Sequence, residues 1–152
     1  MEAQTCYSTE NVEEPLLSLL WDEEESLAVL KAVGQEDIVV ITALAELETL
    51  VQLKAAHLGG EYNLPRCRSL EAQLTRFYSQ PPFEFRALSG TFLKTALRQH
   101  RNSGSLHCRA FDRLHLAAME DLHLRRLMTH DQGQAAAAVA MGWDAVMPGM
   151  KT

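Results

Sequence analysis

The chain has 152 residues, 47% of them hydrophobic and 22% charged, so it reads as soluble and globular with enough apolar residues for one sizeable core. No apolar run approaches the ~20 residues of a membrane span, and the acidic N-terminus lacks the basic and apolar regions of a signal peptide, so one cytoplasmic domain over residues 1–152 is expected. Cys6, Cys67 and Cys108 are odd in number and far apart, which excludes a disulfide framework or a zinc site, and the net charge of −6 conceals two unlike halves: 13 acidic against 2 basic residues in 1–61, then 7 against 12 in 62–152.

Thr5-Cys6-Tyr7 fits a short first strand. Leu16–Trp21 and Leu27–Val33 fit helices, the second broken at Gly34. Ile38-Val39-Val40-Ile41 is a β-branched run between polar residues, the signal of a buried strand in a parallel sheet. A helix then starts at Thr42 and ends around Gly59-Gly60. At about 100° per residue, Leu44, Leu47, Val51 and Leu58 cluster on one side of it and form its expected buried face. Glu48 falls at the edge of that face and Glu46 well round toward solvent, so Glu48 is the better candidate for a functional carboxylate.

Leu64–Tyr78 reads as another helix, ended by Gln80-Pro81-Pro82, and Phe83–Leu88 alternates like a strand. Phe92 and Ala96 suggest a helix reaching about His100, followed by a loop over 101–105. The arginines of this basic half, Arg98, Arg101, Arg109 and Arg113 among them, could contact phosphates if several face one groove, although solvated faces and internal pairing account for most such residues.

Asp112 opens an apolar run in which Leu116, Met119 and Leu122 recur at helical spacing, which places it in a first turn where a cap is its simplest role. Leu127-Met128-Thr129 is a short strand, Asp131 follows it, and the alanine-rich segment Gln134–Met141 is a closely packed helix. In an alternating α/β chain ligands bind at the carboxyl ends of the strands, so Thr129-His130-Asp131 is well placed for chemistry, and a turn-and-cap role fits Asp131 equally.

The string Asp112-Arg113-Leu114-His115-Leu116-Ala117, the strand closed by Thr129-His130-Asp131, and the ending Gly142-Trp143-Asp144-Ala145-Val146-Met147-Pro148 together resemble the C-terminal half of PIN domains, VapC-type toxins above all. The resemblance implies a three-layer α/β/α sandwich with a small, mostly parallel central sheet. It also implies a divalent-metal site, Mg²⁺ or Mn²⁺, that hydrolyses RNA, with Asp112 and Asp131 as its third and fourth carboxylates and Glu48 as the second. The family commonly carries a packed, hydrogen-bonded histidine at the position of His115.

The first carboxylate of the pattern, roughly Y-x-D-x-N-V, is missing: Tyr7, Asn11 and Val12 fit, but Thr9 stands in the aspartate's place, and an alternative register puts Val12 there. Glu10 is the nearest substitute and is taken as the fourth ligand. The expected function is a metal-dependent endoribonuclease, the toxin of a toxin–antitoxin pair, with a small antitoxin partner and a homodimeric state. The alternative is a PIN-like protein, catalytically weakened or inactive, that acts by binding protein or RNA.

Overall fold

A computed structural model of the chain describes residues 4–7, 20 and 24–150. The expectations for Thr9, Glu10 and Val12, and for most of the helix at 16–21, lie outside those residues.

The β-branched run forms strand β2 (Ile38–Thr42), which is joined by β1 (Gln4–Tyr7), β3 (Phe83–Arg86), β4 (Arg126–Met128) and β5 (Asp144–Val146) in one sheet of order β3-β2-β1-β4-β5. Every pairing is parallel, with Thr5 opposite both Val39 and Arg126. Parallel strands need long crossovers, and these are the helices α1 (Glu24–Val33), α2 (Ala43–Leu58), α3 (Leu64–Arg76), α4 (Phe92–Asn102), α5 (Ala110–Asp121) and α6 (Gln132–Ala140).

Alternation along β2 divides the core into two layers, since successive side chains leave a strand on opposite faces. Val39 and Ile41 join Met128 on one face, packed by Val29 and Val33 of α1, Ala45 and Leu53 of α2, and Leu70 and Leu74 of α3. Val40 and Leu127 lie on the other, under Leu116 and Met119 of α5, Ala137 and Ala138 of α6, and Trp143. Fully burying each large aliphatic side chain contributes about 1.5–3 kcal/mol. The expected three-layer α/β/α sandwich with a parallel centre is therefore the observed architecture. The alanine run of α6 serves the close packing foreseen for it, because Ala135, Ala137 and Ala138 are all buried.

Two expectations are corrected. Leu47, Val51 and Leu58 do not form the buried face of α2: they are 56%, 57% and 75% exposed. The helix turns Ala45, Thr49 and Leu53 inward instead, along with Leu44 and Glu48. Ala45 and Thr49 are small enough to bring the helix close to the sheet, and the Thr49 hydroxyl satisfies itself by donating to the Ala45 carbonyl at 2.9 Å. The strand β5 is absent from the sequence reading because three residues are too few to show a period. It is started by a reversal at Gly142, whose φ of 78° suits glycine, and by the burial of Trp143.

Candidate functional site

The sheet order fixes where a ligand can sit. From β1 the chain winds outward through β2 and β3, then returns to place β4 on the other side of β1. The crevice at the carboxyl ends of β1 and β4 is the point where helices diverge to opposite faces. Two described turns leave the carboxyl edge of the sheet beside it. Thr42 ends β2 and caps α2, its hydroxyl accepting from the Ala45 N–H at 3.2 Å. Thr129 follows β4, and its hydroxyl accepts from the Asp131 N–H at 3.0 Å. Asp131 then caps α6 through Oδ1, which accepts from the Gln134 N–H at 2.7 Å. The cap reading of Asp131 is thus correct, and it occupies one oxygen only.

Asp112 follows the same pattern. It lies at the third position of α5, 2% exposed, and its Oδ2 accepts from the backbone N–H of Arg109 at 3.2 Å. Its Oδ1 is buried and has no hydrogen-bond partner among the described residues. A buried carboxylate oxygen left without a donor is costly, so the position suits a bound cation or a donor supplied by a ligand.

Arg109 links the two aspartates. Its Nε approaches Asp112 Oδ2 at 3.4 Å and its terminal nitrogen donates to Asp131 Oδ2 at 3.2 Å, with half of the side chain open to solvent. The guanidinium stands where two crowded carboxylates most need positive charge. Arg109 was counted in the sequence only as one of several basic residues. The available signal was its place three residues before Asp112, one helical turn away.

One turn further along α5, His115 is fully buried and its Nε2 is 2.6 Å from Glu48 Oε2. A carboxylate only accepts, so Nε2 carries the proton in this contact. This pair ties α2 to α5 across the sheet edge and holds Glu48, itself nearly buried, on the same face of α5 as Asp112. Glu46 points elsewhere, receiving a hydrogen bond from the Tyr78 hydroxyl. His115 is thereby the packed, hydrogen-bonded residue that was anticipated.

The structure brings Asp112 and Asp131 together through Arg109 and sets Glu48 on His115. Among the described residues no three His, Cys, Asp or Glu side chains are grouped so as to hold a metal ion. The donor chemistry at Asp112 and Asp131 still fits a hard, oxygen-seeking cation, because it offers carboxylate oxygens, one of them without a hydrogen-bond partner among the described residues, and the half-exposed Arg109 side chain has room to give up its contacts. Cys67 and Cys108 are free thiols.

With this geometry in place, comparison with solved structures is decisive for the fold. VapC20 of Mycobacterium tuberculosis, a sarcin–ricin-loop-cleaving toxin, superposes with a TM-score of 0.66 over 96% of this chain and 100% of its own, at 10% identity. FitAcB of Neisseria gonorrhoeae gives 0.64 over 95% and 97%, at 15% identity. The chain has a VapC-type PIN-domain fold. No protein-family model and no curated protein sequence matches it.

Proposed function

We propose that this protein is a divalent-metal-dependent endoribonuclease and the toxin of a toxin–antitoxin pair, acting in the cytoplasm. The single observation that carries the reading is the buried, unpartnered Oδ1 of Asp112 beside Asp131 at the switch point of a PIN fold. Asp112 and Asp131 would hold Mg²⁺ or Mn²⁺, with Glu48 and Glu10 completing the set. A bound divalent ion supplies an acidified water and charge stabilisation on the phosphate. The chain's own residues do the rest: the Asp131 and Asp112 caps fix both carboxylates to helix starts, and His115 keeps Glu48 oriented toward α5.

A specific observation favours a second reading. Arg109 ion-pairs with both aspartates, and Thr9 occupies the place of the usual first aspartate, which together suit a PIN-like protein that binds RNA or protein without cutting. Thr9→Asp, Glu10→Gln and Asp112→Asn separate the two. A nuclease gains metal affinity and RNA cleavage from Thr9→Asp or loses cleavage with Glu10→Gln, and loses it with Asp112→Asn. If the wild type and all variants bind no Mn²⁺ by calorimetry and cut no RNA, the hydrolase reading is wrong and the binding reading stands.

The exposed apolar stripe Leu47, Val51 and Leu58 on α2 supports a protein partner, the antitoxin or a second copy of the chain. Sedimentation of the isolated protein distinguishes a homodimer from a monomer. No helix among the described residues is long and apolar enough to cross a membrane.

A further inference from the structure

Arg113 follows Asp112 in α5 and therefore points about 100° away from it, into the space between α4, α5 and α6. It is 6% exposed, yet no carboxylate among the described residues comes within ion-pair distance of it. Among the described residues its side-chain partners are Gln99 Oε1 at 3.4 Å, Met141 Sδ at 4.0 Å and the Cys108 sulfur, none of them a carboxylate, and its Nε–H is buried without a hydrogen-bond partner. An arginine cannot escape burial by losing its proton, so the side chain holds a full positive charge in a place where charge is expensive. The Cys108 thiol registers that charge: burial pushes its pKa up, while the Arg113 guanidinium pulls it down.

The guanidinium lines a cavity of about 490 Å³, within the roughly 300–1,000 Å³ span of small-molecule sites. Glu120 stands on the same cavity, but its carboxylate is already engaged by Arg98 and by the Gln99 amide at 2.7 Å. Leu106, Ala137 and Ala140 give the cavity an apolar part of its lining, and Asn102 adds an exposed amide at the end of α4. A cavity lined by an arginine that has no carboxylate partner among the described residues, and by apolar side chains as well, suits a ligand that joins an oxyanion to a flat or apolar body.

We propose that this cavity is a nucleotide phosphate site, in which the Arg113 guanidinium takes the phosphate oxygens, Asn102 assists, and the Leu106–Ala137–Ala140 wall receives the sugar or base. Arg matches phosphate through paired N–H donors, and burial strengthens each of those bonds. The phosphate can belong to a free nucleotide or to an RNA strand crossing α5. The site is separate from Asp112 and Asp131, so it holds whether or not the chain cuts RNA.

The test is a titration of isotopically labelled wild-type protein with inorganic phosphate, AMP, and a 2′-O-methylated hexanucleotide that resists cleavage, with acetate as a carboxylate control. The observables are the Arg113 Nε–H resonance in the wild type and, in the wild type and every variant alike, the backbone amide resonances of Leu106, Ala137 and Ala140, which line the cavity. A saturable shift is expected with phosphate and AMP, weakened about tenfold by Arg113→Gln, the loss typical of one charge-assisted contact. Arg113→Lys, which keeps the charge, and the exposed Asn102→Ala serve if the glutamine variant melts early, and both should weaken binding by less. Tighter binding of the hexanucleotide than of AMP assigns the site to RNA, and equal binding assigns it to a free nucleotide. The proposal is overturned if none of the three phosphates shifts these resonances saturably, if no Arg113 or Asn102 variant weakens binding, or if acetate binds as well as phosphate. Cleavage assays on the same samples report separately on the nuclease reading.

Discussion

Replacing Arg109 by glutamine tests the competition between a guanidinium and a metal ion for the same two aspartates. Arg109 reaches Asp112 Oδ2 at 3.4 Å and Asp131 Oδ2 at 3.2 Å, with about half of its side chain solvent-exposed while the Asp112 side chain is only 3% exposed. Exposed ion pairs contribute about 0.2–1 kcal/mol each, so with one partner buried the two contacts together are worth ~1–2 kcal/mol. A cation entering the crevice has to displace them. Arg109→Gln should therefore bind Mn²⁺ roughly 5- to 30-fold more tightly than the wild type. Without metal the variant should melt lower, by about 2–8 °C for a chain of this size, because two close carboxylates lose their counter-charge. Saturating Mn²⁺ should close that gap through preferential binding to the folded state. Calorimetric titration and paired melting curves with and without metal give both quantities. Unchanged or weaker metal affinity in Arg109→Gln would refute the claim that the arginine occupies the cation's position.

Other consequences are equally direct. His115→Ala should cost ~3 kcal/mol in urea denaturation, since it empties a fully buried position and strips Glu48 of its 2.6 Å partner; a loss under about 1 kcal/mol would mean the pair does not tie α2 to α5. Burial alone would raise the Asp121 carboxyl, but the hydroxyls of Ser89, Thr95 and Thr91 and the charge of Arg98 outweigh it and hold the group below its ordinary value of 3.8. Its contribution to stability is thus present above pH ~4 and lost as pH falls further, so stability curves of the wild type and Asp121→Asn should converge in acid, and parallel curves would contradict the assignment. The Tyr78 hydroxyl is pushed up to about 12, chiefly by its hydrogen bond to Glu46, so of the three tyrosines one phenolate should appear only near that pH. Its stabilising effect is complete below pH ~10 and lost as pH rises through 12; Glu46→Gln should bring the titration back toward 10, and an unshifted spectrophotometric curve would count against the contact.

Local sequence determined the elements and their class. The Ile38–Ile41 run, four consecutive β-branched apolar residues between polar ones, suits a short strand covered on both faces, and such a strand goes with a parallel sheet and helical crossovers. Asp131 after a short apolar strand and Asp112 at the start of an apolar helix were legible for the same reason, since caps and first turns are read from neighbours three residues away. Tertiary structure decided the rest. Which arc of α2 faces the core depended on how closely Ala45 and Thr49 let the helix approach the sheet, and this turned Leu47 and Val51 outward although they are the more apolar choice. The pairing of Glu48 with His115 spans 67 positions, and that of Arg109 with Asp131 spans 22. No local period encodes such distances. The burial of Arg113 without a counter-charge among the described residues is likewise a property of three helices meeting around it, because a side chain's charge is written in the sequence but its solvation is set by what packs against it.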